Sequence, residues 1–217
     1  FSDPMTLIDE VDALVIATTQ QTTESFRHIQ DKQIPFVLVD RNIQGMEANF
    51  VGVDDRVIGH MATQHLLEMG CRRIAHIRGP AGSTAMGRLE GYRQALFEKG
   101  IPFKEEMVKA IQYCDKECIN NSYTAVKELL ACKPRPDGIF CFNDPCALGA
   151  TKAILENKLR VPQDIALIGS GNFLFTDFLR VPLSTVDQNA EAIGDRAAKL
   201  AMHLVESKTP VKPKSIL

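Results

Sequence analysis

Short apolar runs rich in β-branched residues alternate with segments of helical periodicity along the whole chain. Strands that are apolar throughout and joined by helices belong to parallel sheets covered on both faces, so we expect an α/β fold. The predicted strands are residues 11–18, 36–40, 50–54, 73–78, 108–113, 138–142, 165–169 and 184–186. The predicted helices are residues 20–32, 58–69, 85–99, 119–131, 145–157 and 190–205, with Gly70 and Gly100 as C-terminal stops.

Composition argues against a disordered chain, a chain that binds nucleic acid by itself and a chain that spans a membrane. With 217 residues, of which 45% are apolar and 24% charged, the chain is long and apolar enough to bury a core. The net charge is −2 and no basic run exceeds Arg72-Arg73, so we do not expect this chain to bind a phosphate backbone by itself. No apolar stretch approaches the roughly 18 residues of a membrane span, and the N-terminus has no signal-peptide pattern.

The cysteines predict neither a disulfide framework nor a metal site. Most lie inside apolar periodic segments, and the spacings lack Cys-x2-Cys pairs and nearby histidines. We therefore expect reduced thiols in a cytoplasmic protein, with no metal and no cofactor. The six positions are Cys71, Cys114, Cys118, Cys132, Cys141 and Cys146.

Ligands of open parallel sheets bind beyond the carboxyl ends of the strands, which selects the residues to consider. The glycine-rich loop at residues 79–87 follows a predicted strand and leads to Arg88, but its spacing matches neither common phosphate-binding motif. Arg88 lies in the first turns of a helix, where a cation gains nothing from the helix dipole. It can either bind an anionic or polyol ligand or pair with Glu90 or another carboxylate.

Two further strand ends carry polar residues. Asp144 precedes Pro145 and is predicted to cap the following helix, whereas Asn143 can direct an amide donor and acceptor towards a neutral ligand. Small residues around Ser170 and Asn172 either let a ligand approach the backbone or form a tight turn. Asp54 is a second predicted helix cap.

The sequence offers no support for catalysis. No Gly-x-Ser-x-Gly motif occurs, and none of the five histidines lies beside a serine or cysteine in a recognisable nucleophile motif. We therefore predict that the chain is not an enzyme; an α/β enzyme acting on nucleotides is the least favoured hypothesis.

Eight segments spread along the chain form a pattern that is specific in their order and spacing, although no single segment is specific. They are residues 11–16 (VDALVI), 34–41 (IPFVLVDR), 53–55 (VDD), 62–75 (ATQHLLEMGCRRIA), 88–92 (RLEGY), 142–150 (FNDPCALGA), 161–169 (VPQDIALIG) and 182–188 (PLSTVDQ). Through these segments nearly the whole chain resembles the effector-binding core of the LacI/GalR family of bacterial transcription regulators.

The resemblance implies a two-lobed, periplasmic-binding-protein-like (type I) fold with a small-molecule site in the cleft. Residues 1–70 and 190–208 would form the N-terminal subdomain and residues 71–189 the C-terminal subdomain. The helix-turn-helix that binds operator DNA in this family is absent from this chain. The first lobe would lack its initial strand-helix-strand, and the last strand would follow Leu217.

The resemblance also implies site residues. Arg88, Asn143 and Gln188 correspond to family positions that bind ligand, and Thr18 and Ser83 are weaker candidates. Gly169-Ser170-Gly171-Asn172 replaces a motif whose first aspartate binds ligand hydroxyls in many members. Where many members have an aromatic residue that stacks on the ligand, this chain has Lys116-Glu117-Cys118. Glu117 offers a carboxylate in place of the lost aspartate.

We therefore expect an effector-binding and dimerisation domain of a cytoplasmic LacI-type regulator. It would bind a sugar or related polar metabolite and change the affinity of a homodimer for operator DNA. The alternative is an extracytoplasmic solute-binding protein of a sugar transporter, which shares the fold.

Overall fold

Two compact units make up the computed structural model of the chain, which describes residues 8–20, 22–112, 117–207 and 211–217. The first unit combines the chain up to Val53 with the chain from Ala190 onward, and the second runs from Asp54 to Asn189. The chain is therefore α/β in both units, as predicted, with one parallel sheet in each.

The predicted alternation of strands and helices is confirmed. The strands are β1 (Leu14–Ala17), β2 (Phe36–Val39), β3 (Asn49–Val51), β4 (Ile74–Arg78), β5 (Val108–Ala110), β6 (Gly138–Cys141), β7 (Ala166–Ser170), β8 (Ser184–Val186) and β9 (Ser215–Ile216). The helices are α1 (Arg27–Asp31), α2 (Asp55–Glu68), α3 (Ser83–Glu98), α4 (Cys118–Ala131), α5 (Asp144–Glu156) and α6 (Ala190–Glu206).

The first unit has a four-stranded parallel sheet in the order β1-β2-β3-β9. Val37 and Leu38 are consecutive on β2 and both fully buried, so both faces of the sheet are covered. Val37 packs in a cluster with Ala197 and Leu200 of α6. Leu38 packs in a separate cluster with Phe26 and Ile43. This two-sided burial explains why the strand reads as uniformly apolar.

The second unit has a five-stranded parallel sheet in the order β5-β4-β6-β7-β8. Helices α4 and α5 pack together, and their apolar residues cluster with Ala75 and Ile77 of β4 and Ile139 of β6. Helices α2 and α3 also pack together and contact the same sheet. Because β6 is central, its carboxyl end lies between the ends of β4 and β7.

The boundary between the units falls at Val53, earlier than the expected residue 70, because α2 packs on α3. The two helices approach so closely that a Cβ at Gly59 would lie 2.1 Å from the carbonyl oxygen of Arg88. A Cβ at Gly91 would lie 2.0 Å from the carbonyl oxygen of Arg56. These glycines fix α2 to the second unit. The chain returns to the first unit at Ala190.

Three elements differ from the predictions. In place of a helix over residues 20–32 there is a 3₁₀ turn (Thr23–Phe26) followed by α1, since adjacent threonines favour a helix poorly. β5 ends at Ala110, and Tyr113 lies outside the described residues. Ser215–Ile216 pairs with β3, so a strand lies before Leu217 where one was expected only after it.

None of the helices in the described part of the chain has the length and apolar character needed to cross a lipid bilayer. The five cysteines that the structure describes are free thiols, and four of them are buried. Cys114 lies outside the described residues.

Candidate functional site

The carboxyl edge of the second sheet gathers most of the residues predicted to bind ligand. β6 leads directly into Asn143, β7 ends at Ser170, and Gln188 follows β8. Arg88 joins them from α3, since one of its guanidinium nitrogens donates to the carbonyl of Phe142 at the end of β6. The fold therefore brings together residues that are up to 100 positions apart in sequence.

Arg88 is the central cation of this edge and is only 2% exposed. Its Nε donates to Asp55 Oδ1 at 2.9 Å, and its guanidinium carbon lies 4.8 Å from the centre of the Phe142 ring. The ion-pair alternative is therefore present, with Asp55 as the carboxylate. Glu90 is exposed on α3.

The pairing decides which ligands Arg88 can bind. A buried cation needs a compensating partner, and Asp55 supplies it before any ligand arrives. The pair carries no net charge, yet a guanidinium has five N–H donors, more than this geometry uses. Such a group suits hydroxyl or carbonyl oxygens better than a full anion, which would be repelled by Asp55.

Asn143, and not Asp144, caps α5. Asn143 has an extended backbone and its Oδ1 accepts from Cys146 N–H at 2.9 Å, so Asn143 caps α5. The prediction that Asp144 is the cap is wrong, because Asp144 is already the first helical residue. The cap uses only the Oδ1 of Asn143. The two N–H donors of its side-chain amide take no part in the cap, and the residue is half-buried.

Asp144 instead joins α5 to the loop after β7. Its side chain is fully buried; Oδ1 accepts from the Thr185 hydroxyl at 2.7 Å and Oδ2 from the Phe173 N–H at 3.0 Å. A Cβ at Gly169 would lie 2.2 Å from Asp144 Oδ1. The small residues predicted to admit a ligand thus make room for this carboxyl group.

Ser170 and Asn172 are held by local hydrogen bonds. The fully buried Ser170 hydroxyl accepts from Gln188 Nε2 at 2.9 Å. Asn172 adopts a positive φ of 55° in a turn, and its Nδ2 donates to Asp187 Oδ2 at 3.1 Å. Because the partner of Ser170 is an amide and not a base, this pair does not form an activated nucleophile.

Of the remaining predicted residues, one lies at this edge and two lie elsewhere. Ser83 begins α3 after Gly82, at the same edge of the second sheet. Glu117 is exposed immediately before α4, and Lys116 lies outside the described residues. Thr18 belongs to the first unit, where its hydroxyl accepts from the N–H of Gln20 and its carbonyl accepts from Arg41 at 3.4 Å.

Sequence reasoning missed two partners of the site. Asp55 is adjacent to the predicted cap Asp54, whose Oδ1 accepts from Arg56 N–H at 2.9 Å. The consecutive aspartates were a signal that one could cap α2 while the other served elsewhere. Thr185 carried no such signal, because its contact with Asp144 depends on β8 lying next to β7.

The described residues contain no group of three or more His, Cys, Asp or Glu side chains arranged as metal ligands. The site is thus a set of polar side chains around a neutralised arginine and an aromatic ring. Such a set of groups suits the noncovalent recognition of a polar molecule.

The chain is similar to known proteins over nearly its whole length. The sequence profile of the periplasmic binding protein-like domain matches residues 63–217. The probable HTH-type transcriptional repressor ExuR of Bacillus subtilis (strain 168) is 33% identical over 208 residues, which are 95% of this chain and 61% of that protein. The ribose operon repressor of Escherichia coli (strain K12) is 32% identical over 204 residues, which are 92% of this chain and 60% of the repressor.

A solved structure, the transcriptional regulator CelR in complex with cellobiose, superposes with a TM-score of 0.88 at 27% identity. The similarity covers 98% of this chain and 64% of that one. The chain thus spans about three fifths of the length of the curated relatives named above.

Proposed function

Since the chain belongs to the periplasmic-binding-protein-like domain family, and within it to the LacI-type regulators, we propose that it is the effector-binding domain of a bacterial transcription regulator. It binds an uncharged, hydroxyl-rich small molecule of the sugar class at the carboxyl edge of the second sheet. The observation that carries this proposal is the buried Arg88–Asp55 ion pair beside Phe142.

The chemistry of that edge supports a sugar or related polar metabolite. The neutralised guanidinium and the Asn143 amide offer N–H donors to hydroxyl oxygens. The Phe142 ring, itself only 3% exposed, packs against the Arg88 guanidinium. The names of two relatives, a ribose operon repressor and a regulator solved with cellobiose, favour the same class.

Ligand binding controls transcription through linkage between two sites. A ligand that binds one conformation of the domain more tightly shifts its population, and that shift changes the affinity of the parent protein for operator DNA. The parent acts as a cytoplasmic homodimer, and a helix-turn-helix outside these residues contacts the DNA. The domain itself catalyses no reaction.

Thermal shift of the purified chain with a panel of neutral sugars and sugar acids tests the ligand class. At 100 times its Kd a ligand stabilises by about 2.7 kcal/mol, or roughly 5–10 °C in Tm for a chain of this size. We expect a neutral sugar to produce this shift. Stabilisation by sugar acids alone would contradict the proposed class.

Arg88→Gln tests the site itself. It should abolish the ligand-induced shift, because the donors to the ligand and the pairing of Asp55 are lost together. Arg160→Gln, which removes an exposed arginine paired with Asp164, should keep the shift and serves as the control. Gln188→Ala provides a second site variant if Arg88→Gln folds poorly. An unchanged shift in both site variants would refute the site.

A test of whether the parent protein binds operator DNA distinguishes a regulator from the solute-binding protein of a transporter. A regulator shifts operator DNA in a gel, and the effective sugar changes the midpoint of that shift. A solute-binding protein would bind the sugar without binding DNA, which would overturn the proposed role while leaving the ligand site intact.

A further inference from the structure

A cavity of about 440 Å³ lies at the edge of the second sheet opposite to the Arg88 site. Its walls come from chain segments that precede three strands: Ile74 begins β4, Met107 directly precedes β5, and Pro134 lies before β6. β4 has five residues, so about 13 Å of strand separates this amino edge from the edge that holds Arg88. The cavity is therefore distinct from the proposed sugar site.

The floor of the cavity is apolar and rigid. Tyr92 and Leu96 of α3 are 1% and 2% exposed, and Met107 is also buried. The Tyr92 hydroxyl donates to the carbonyl of Ile74 at 2.9 Å, which holds the ring in place at the floor. The volume falls within the range of small-molecule sites, roughly 300–1,000 Å³.

The rim of the cavity is strongly basic. Four basic side chains line it, against the single acidic side chain of Glu106; the four are Arg72, Arg73, Lys104 and Lys133. This local excess of three positive charges stands in a chain with 25 basic and 27 acidic residues. The rim is thus positively charged, whereas the net charge of the protein is negative.

Most of these cations are not neutralised by carboxylates. Arg73 pairs with Asp137 at 3.1 Å, but Arg72 donates to the backbone carbonyls of Leu67 and Cys71. Within the described part of the chain, no carboxylate lies within ion-pair distance of Lys104 or Lys133. The cavity therefore differs from the Arg88 site, where the cation is paired.

We propose that this cavity is a second small-molecule site, which binds an organic anion with an apolar body. The carboxylate or phosphate of the ligand lies at the basic rim, where charge-assisted hydrogen bonds from Lys104, Lys133 and Arg72 are available. The apolar body rests on Tyr92 and Leu96. The site gives the domain a binding function separate from sugar recognition.

The first test uses two probes of matched shape, 1-naphthoate and the uncharged 1-naphthamide, titrated into the full chain by calorimetry. We expect 1-naphthoate to bind saturably, and 1-naphthamide to bind at least tenfold more weakly because it cannot pair with the rim. Equal affinities for the two probes, or no saturable binding of 1-naphthoate, would overturn the proposal.

Charge variants locate the bound probe. The double variant Lys104→Ala/Lys133→Ala should weaken 1-naphthoate binding about tenfold or more, since each charged hydrogen bond contributes strongly. The control Lys127→Ala/Lys152→Ala removes two charges from the same unit, where both ammonium groups lie over the Tyr123 ring. It should leave binding unchanged. Equal weakening in both variants would show general charge attraction and refute the site.

Cys132 provides an independent reporter, because it lines the cavity and is half-buried. In a Cys114→Ser background, 1-naphthoate should slow the alkylation of Cys132 by iodoacetamide, whereas 1-naphthamide and the effective sugar should not. Sedimentation velocity of the lysine variants adds a last check. A change in oligomeric state would assign the rim to a subunit contact and overturn the small-molecule site.

Discussion

His76 should make the second unit lose stability in mild acid. The ring is fully buried in β4, stacked 4.5 Å from the Phe140 ring and 5.4 Å from the Tyr92 ring. Its Nδ1 lies 3.1 Å from the Phe140 carbonyl oxygen. Its Nε2, in contrast, is buried without a hydrogen-bond partner in the described structure. A proton added at Nε2 would therefore be neither solvated nor bonded.

Burial lowers the pKa of His76 from 6.5 to about 3. The positive charges of Arg88 and Arg78 contribute to this lowering of the pKa, while the hydrogen bond to Phe140 opposes it. Between these two pKa values the unfolded chain binds a proton that the folded chain excludes. Stability is therefore complete above about pH 6.5 and falls as the pH decreases towards 3.

The expected size of this effect follows from linkage. From pH 7.5 to pH 5.0 the contribution of His76 should fall by about 2 kcal/mol, approaching 1.4 kcal/mol per pH unit at the lower end. His76→Phe keeps a ring between its two aromatic neighbours and removes the titration. The difference in unfolding free energy between the parent chain and His76→Phe should thus change by about 2 kcal/mol over this range.

Urea unfolding followed by tyrosine fluorescence measures this difference. The chain has no tryptophan, and its tyrosines, Tyr92, Tyr113 and Tyr123, all belong to the second unit. His65→Phe, which removes a half-buried histidine of α2, is the control for losing a histidine from the same unit. His76→Leu serves if the larger ring does not fit. A parent-minus-variant difference that stays constant with pH would refute the reasoning.

Three substitutions test the packing of the two units by urea unfolding. Gly149→Ala should destabilise by about 1–3 kcal/mol, because its Cβ would lie 2.0 Å from a backbone oxygen of α4. Gly194→Ala, on an exposed position of α6 with open space, should stabilise by about 0.5–1 kcal/mol. Asp144→Ala should cost about 2–4 kcal/mol, since it leaves the Thr185 hydroxyl and the Phe173 N–H unpaired. A neutral result for Gly149→Ala or Asp144→Ala would contradict the contacts described.

The order of elements could be predicted from the sequence because strands buried on both faces are apolar throughout, and this is visible within each short segment. Every predicted strand overlaps an observed one, and the helix predicted over residues 190–205 corresponds to α6, whose Ala197, Leu200 and Ala201 are buried. The single helix predicted over residues 20–32 is wrong because the apolar periodicity of the segment is helical, whereas two threonines near its start disfavour an α-helix there. The apolar pattern of a segment does not show which of these two opposing preferences is stronger.

The site was less predictable because its contacts join distant segments. Asn143 and Asp144 can both cap a helix, and only the end of β6 at Cys141 decides which one does. The assignment of α2 to the second unit likewise depends on two close backbone contacts, at Gly59 and Gly91, that no single segment reveals. The roles of Arg88, Asn143 and Gln188 in ligand binding remain predictions.

The division of the chain at Val53 and Ala190 has a consequence for synthesis on the ribosome. The second unit is one continuous segment of typical domain size, whereas the first needs both β3 and the later α6 and β9 to complete its sheet and cover it. The second unit can therefore fold while the first still waits for its last elements. During that interval the edge of β3 and the face later covered by α6 are exposed, so the partly made first unit is the stage most open to aggregation and to chaperone binding.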